Sequence, residues 1–389
     1  MTALPLALSD PVREWLDLGL RWLHVIAAMA WIGTSFYFVL LDQSLRPPRD
    51  PADLDAGVGG ELWEVHGGGF YHVQKYVVAP RVLPDHLAWF KWEAYTTWLS
   101  GFALLVVLYW LDADTRLIDP TVADLDPWQA VTLSAAGLAL GWLVYDLACR
   151  VLIEDRLVAV AVGALVTGSA FAAAELFAAR ASYLQVGAML GTIMAANVFF
   201  VIIPAHWELV RAKREGREPN PVPGLRAKQR SVHNNYLTLP VVFTMLAGHF
   251  PLAFGSGHAW LVLLAIFAIV AAVRHVFNRW HTGKRDWWIL GAAAAGAVAL
   301  AIVLAPEDVE PAAVPTDAAA VAIAQQRCVT CHSGASAPLG IQLTSADQLR
   351  RHASAVEAMV SSGAMPPGNA TGLTDDERAR LVAWAAAHG

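Results

Sequence analysis

Cys328-Val329-Thr330-Cys331-His332 is a C-x-x-C-H run, the pattern that attaches a c-type haem. Each thiol adds across one haem vinyl group, and His332 becomes an axial ligand of the iron. A second ligand is expected downstream. Met365 stands in Ala364-Met365-Pro366-Pro367-Gly368-Asn369, and a methionine in such a loop raises the reduction potential. A zinc site would need a second cysteine pair, and the third cysteine, Cys149, lies alone in an apolar run. Outward from the motif, Ala318 to Gln326 reads as an entering helix. Thr374 to Ala387 reads as a closing one: Thr374 caps it, Asp375, Asp376 and Glu377 fill its first turn, and Leu381 with Trp384 makes an apolar face. Two helices, a haem and a methionine loop predict a small class I cytochrome c domain over 318–389.

The rest of the chain is apolar. Of 389 residues 56% are hydrophobic and 15% charged, which excludes an ordinary soluble enzyme. A net charge of −6 gives no reason to expect nucleic acid as a partner. About eight runs are long enough to cross ~30 Å of hydrocarbon as helices. They fall near 16–41, 88–110, 129–150, 157–178, 183–205, 233–253, 257–279 and 286–305. The first is long enough to span and stay, so no cleavable signal peptide is expected. The fourth and fifth meet in a tight hairpin around Arg180. The expected class is all-α: a polytopic membrane helix bundle over 1–305, an acidic Pro/Ala-rich linker at 306–317, then the cytochrome. A polar insert at 42–87 carries His66, His72 and His86. Its Gly67-Gly68-Gly69 reads as a place of close backbone approach.

Loop charge predicts orientation. Arg46, Arg49, Lys75 and Arg81 follow the first run, and Arg150 and Arg156 the third. Arg211, Lys213, Arg214, Arg217, Arg226, Lys228 and Arg230 follow the fifth; Arg274, Arg279, Lys284 and Arg285 surround the end of the seventh. The other connections are nearly bare. The positive-inside rule puts the charged loops in the cytoplasm. Both termini, and the cytochrome, then face the periplasm of a bacterial inner membrane. This agrees with covalent haem attachment outside the cytoplasm.

Ionisable residues within membrane helices default to function. His24 sits in Arg21-Trp22-Leu23-His24-Val25-Ile26-Ala27-Ala28, where two alanines one turn on leave room for a flat group. It reads as a haem ligand, against a proton carrier or a histidine bonded to a neighbouring helix. A b-type haem needs a partner at similar depth: His24 with His249 first, His233 with His275 or His206 second. Glu93 lies among aromatics in Trp89-Phe90-Lys91-Trp92-Glu93-Ala94-Tyr95, a setting suited to proton transfer. Asp146 and Arg150 are spaced for an ion pair.

Four stretches together resemble one family. They are RWLHVIAAMAWIGTSFYFVLLD from Arg21, ELWEVHGGGFYHVQKY from Glu61, WFKWEAYTTWLSGF from Trp89, and AMPPGNATGLTDDERARLVAWA from Ala364. The chain resembles, over essentially its whole length, the membrane-bound urate oxidases, or urate hydroxylases. The resemblance implies oxidation of urate to 5-hydroxyisourate in purine breakdown. Electrons would pass to the protein's own haem c, then to a downstream cytochrome or terminal oxidase. It carries over Cys328, Cys331, His332 and Met365. For urate, a planar anion, a site should offer a cation, amides, a stacking face and a base. Glu93, His72 and Lys91 are the expected catalytic residues, with Lys75, Gln74, Asn234 and Asn235 nearby. Urate on the cytoplasmic side would lie ~30 Å from haem c, so an intramembrane carrier such as haem b is expected. The alternatives are a membrane cytochrome oxidising a quinol, with a lipid-accessible pocket, and a relay subunit with no small-molecule site.

Overall fold

The computed structural model describes residues 10–280, 282–305, 314–334, 337–361, 363–369 and 371–389. Most of the expected linker, 306–313, lies outside these residues. The first helix, α1 (Asp10–Ser44), runs beyond the expected span at both ends. After it come a short α2 (Pro51–Asp55) and an antiparallel hairpin of β1 (Val58–His66) and β2 (Gly69–Tyr76). The fold is therefore helical with one hairpin, rather than purely α. Two features of the sequence make the hairpin. Val58, Trp63, Val65, Phe70, Tyr71, Val73 and Tyr76 supply the β-branched and aromatic residues that favour strands. Gly67 and Gly68 have φ of 58° and 82°, as the two central positions of a type I′ turn require. The glycines thus close a turn, where close backbone approach was expected. A bridge between Arg46 and Glu61 ties the hairpin to the end of α1.

The bundle continues with α3 (Trp92–Leu105), which widens into a π turn over Val106–Trp110, and a short α4 (Ala113–Arg116). Next are α5 (Pro127–Val151), started by a capping box of Asp126 and Gln129, and α6 (Asp155–Leu176). Then α7 (Ala179–Ala196) passes through a π turn, Asn197–Ile202, into α8 (Ile203–Arg214). The bundle ends with α9 (Pro221–Ala247), α10 (Pro251–Phe254), α11 (Ala259–Trp280) and α12 (Trp287–Val303). The tight hairpin expected at Arg180 forms slightly earlier, at Phe177–Ala178.

Helices form at all eight expected places, yet among the described residues only five are long and apolar enough to cross a membrane. Three fall short for different reasons. The α-helical part of α3 stops at Leu105; α9 is polar through Arg226, Lys228 and Arg230; α12 has 17 residues, about 26 Å of helix.

The core centres on α7, which packs against α3, α5, α6 and α9. Tyr183, Val186, Leu190 and Ile193 are almost fully buried on it. Glycines let the backbones approach, as in membrane bundles generally. A Cβ on Gly187 would meet Thr244, and one on Gly141 would meet Met189.

The last domain is α13 (Asp317–Arg327), α14 (Ala346–Arg351), α15 (Ala353–Ser361) and α16 (Asp375–Ala386) around Leu349, Leu381 and Trp384. Trp384 Nε1 donates to Asp317 at 3.0 Å and so ties α16 to α13. The turn Pro367–Asn369, just after Met365, rests against α4. Thr374 and Glu377 form a capping box, and Arg327 donates to Glu377 at 3.0 Å. The Thr374 backbone N–H, then Arg327, hold the Glu377 carboxyl below the usual carboxylate range. A depressed folded pKa gives stability that is present above the unfolded value of about 4.3 and lost as pH falls below it. E377Q should therefore melt a few degrees lower than wild type at pH 7. The gap should close as pH drops below about 4, in melts followed by the cytochrome domain's absorbance.

Candidate functional site

A cavity opens between α1, α3, α7 and α9. One side of α1 supplies His24, Ala28 and Ile32, spaced by single turns. Small residues make the room: Gly101, Ala188 and Gly191 line it, and a Cβ on Gly191 would meet nothing within 4 Å. Trp98, Phe102, Val241 and Met245 complete an apolar wall. The cavity volume is about 120 Å³, below the ~300–1,000 Å³ of ligand pockets, so a large flat group needs the helices to part.

His24 is half-buried at this cavity. Its Nδ1 lies 2.9 Å from the Thr97 carbonyl oxygen and 3.1 Å from Ser100 Oγ. Only a protonated Nδ1 can donate to a carbonyl, so Nε2 keeps its lone pair. That Nε2 lies 3.3 Å from Met245 Sδ on α9. His332 repeats the pattern: its Nδ1 lies 3.0 Å from the Ile341 carbonyl oxygen. A ring N–H held by a backbone carbonyl is how metal-ligating histidines are usually oriented.

No described hydrogen bond or ring contact joins the expected histidine pairs. His249 is exposed beyond the end of α9 and does not line the cavity; Met245, one turn earlier, does. His233 Nδ1 lies 2.8 Å from Tyr145 Oη, and His275 Nδ1 lies 2.7 Å from Tyr236 Oη, so these two face different tyrosines. Similar depth did not mean a shared face.

The expected catalytic residues fall into two groups near the hairpin, and no described hydrogen bond or ring contact joins them. In the first, His72 stacks on Trp63 with centroids 4.1 Å apart, and its Nε2 lies 2.8 Å from buried Glu61. In the second, Lys91 lies 5.6–5.8 Å from the rings of Trp89, Trp92 and Trp207, within cation–π range. Glu93, two residues on, has Oε2 buried with no hydrogen-bond partner among the described residues. Asn234 joins another network, accepting from Asn197 at 2.9 Å. Asp146 pairs with Arg150 as expected, at 2.6 Å, and also with buried Arg230 at 2.7 Å. Sequence reasoning missed Arg274. It reads as one of the charges around the end of the seventh run, but it lies within α11 and is only 7% exposed inside the bundle.

In the last domain Cys328 and Cys331 are free thiols at the end of α13, and the His332 N–H donates to the Cys328 carbonyl at 2.9 Å. Met365 packs on the same core as Cys328. Burial, then the neighbouring Cys331, push the Cys328 thiol up to about 11. Two free thiols, a ligand-oriented histidine and a methionine beside one core fit a covalent haem.

A membrane helix bundle joined to a domain of this kind defines a haem-bearing membrane oxidoreductase. Residues 10–305 match the family described as urate oxidase N-terminal. Residues 315–384 match cytochrome c oxidase, cbb3-type, subunit III. The chain belongs to the urate oxidase N-terminal family, and its cytochrome c domain implies a covalent haem c. No curated protein and no solved structure matches the chain.

Proposed function

We propose that the protein oxidises urate to 5-hydroxyisourate and passes the electrons to its own haem c. The observation that carries this is one chain joining a urate oxidase N-terminal bundle to a C-x-x-C-H cytochrome. The reaction is urate plus water giving 5-hydroxyisourate, two protons and two electrons. Water forms the new C5–O bond. A covalent haem c supplies a one-electron carrier, so each turnover makes two transfers and on to a downstream cytochrome or oxidase.

On this reading Cys328 and Cys331 would hold the haem covalently, and His332 and Met365 would bind its iron. The hairpin end of the bundle faces the cytoplasm and the cytochrome faces the periplasm. The contact of Pro367–Asn369 with α4 supports electron transfer at that end. Between the two ends, His24 and Met245 would be the residues to hold a b-type haem, in a cavity that would have to widen to take it. His24 presents an available ring nitrogen, and Met245 presents a sulfur from the facing helix. The two side chains must part to admit an iron. Met245 thereby replaces His249 as the proposed partner of His24. Glu93, with its unpartnered buried oxygen, is the proposed proton acceptor. His72 is held by Glu61, and Lys91 draws anions toward the hairpin end.

Adding urate without oxygen to the purified protein tests the proposal. The α-band of haem c should rise; a flat α-band would remove urate as the donor. The apolar lining of the cavity also suits a quinol ring, and reduction by quinol but not urate would select that reading. Gly101 offers a check on the cavity. A Cβ there would stand 2.8 Å from His24 Cε1, so G101A must displace the ring. Losing support around a metal ligand costs roughly 10- to 100-fold in affinity. G101A should therefore lose most of the extractable haem. G163A, whose Cβ would meet nothing within 4 Å, should keep it.

A further inference from the structure

Among the described residues, Arg274 has no carboxylate within ion-pair distance, although it is 7% exposed inside the bundle. Arg230, the other buried arginine, is compensated by Asp146 at 2.7 Å. A buried charge without a partner is costly, more so in a membrane bundle. Around Arg274 the polar groups are also incomplete. Its Nε donates to Asn235 at 2.6 Å and its guanidinium lies 3.6 Å from the centre of the Phe36 ring. Its Nη2 is buried with no partner. Asn278, one turn further along α11 and 6% exposed, has Oδ1 buried without a partner. Gln43, on the same face of α1 as Phe36, has Oε1 in the same state. Buried polar groups in folded proteins are normally satisfied, so these exceptions ask for a ligand.

The unmet groups define the ligand's chemistry. Arg274 needs an anionic acceptor, while Asn278 needs an N–H donor. An anionic oxopurine carries both around one flat rim. We propose that Arg274 and Asn278 of α11, with Asn235 of α9 and Phe36 of α1, bind the urate anion. This rests on the urate-oxidising reading above and gives it a place. The place suits the electron route. Phe36 is one turn beyond Ile32, which lines the His24 cavity, about 6 Å along the helix axis. The approach is cationic. Asp42, next to Gln43, is ion-paired with Lys75 and lies 4.0 Å from Lys228, which leaves one positive charge in excess.

The test uses the full-length haem-loaded protein in detergent, with urate as titrant and haem c reduction as readout. R274Q should raise the urate KM about 10- to 100-fold, with kcat little changed, the loss expected for a charge-assisted bond. R274K should recover part of it. N278A should raise KM about tenfold. Hypoxanthine, a neutral purine, serves as a competitor. Its inhibition constant should be the same in wild type and R274Q, because it does not draw on the cation; a purely structural defect would weaken both ligands. Unchanged urate KM in both R274Q and N278A would overturn the site. If R274Q yields no folded protein, N278A alone decides. Wild-type protein that urate does not reduce would instead overturn the urate reading on which the site rests.

Discussion

H24A is expected to lose the extractable haem of the membrane domain and to slow urate-driven reduction of haem c by more than ~100-fold. The magnitude follows from position. Removing a group that merely supports a metal ligand costs roughly 10- to 100-fold, and His24 is proposed as the ligand itself. The covalent haem should be untouched, because Cys328, Cys331 and His332 lie in another domain. The measurement is paired: haem released by acidified solvent, and stopped-flow reduction of the haem c α-band by urate. Met245 supplies the second arm. M245A should keep some haem but shift its spectrum, since the Sδ that faces His24 Nε2 at 3.3 Å is gone. A histidine that only bridges α1 to the Thr97 carbonyl of α3 would leave haem content unchanged.

The double variant C328A/C331A should have an equally large and opposite pattern. No haem should remain on the polypeptide after denaturation, and electron delivery to an external cytochrome should disappear. Oxidation of urate by an artificial acceptor should persist, because the bundle holds its own site. Haem peroxidase staining of a denaturing gel reads the first, and oxidation with a small-molecule dye reads the second. Persistence of covalent haem should also distinguish the two attachment cysteines from Met365. M365A should retain covalent haem and lower its potential, since loss of an axial thioether removes the feature that raises it.

The cytochrome was legible in sequence because its signals are local. Cys328 to His332 is contiguous, and Thr374 with Glu377 spells out a capping box that the structure contains. The eight helix positions were legible from apolar length, although three of those helices are too short or too polar to count as membrane spans by length and composition. The hairpin is hard to read from sequence because neither strand alternates apolar and polar residues; the signals present are the Gly67-Gly68 turn and the β-branched and aromatic residues on either side of it. His24 stood out as one polar residue in an apolar run with alanines beside it. Its facing residue did not. Depth along a helix can be counted from sequence, but the face it presents across a bundle cannot, so the sequence does not show that Met245 lines the cavity beside His24. Methionine in an apolar helix carries no signal of its own, because it ordinarily fills gaps. Arg274 was hidden by the opposite error. Charge near the end of an apolar run reads as a loop charge, and only the packing around α11 shows it buried, with no carboxylate in ion-pair distance among the described residues.

Electrons from urate are proposed to pass by way of His24 to His332. Stopped-flow spectra of the wild-type protein mixed with urate in the absence of oxygen follow that route. Two haem signals should appear in order: a b-type band first, then the α-band of haem c at the rate the first decays. A single haem c signal, unchanged in rate by H24A, would rule the route out.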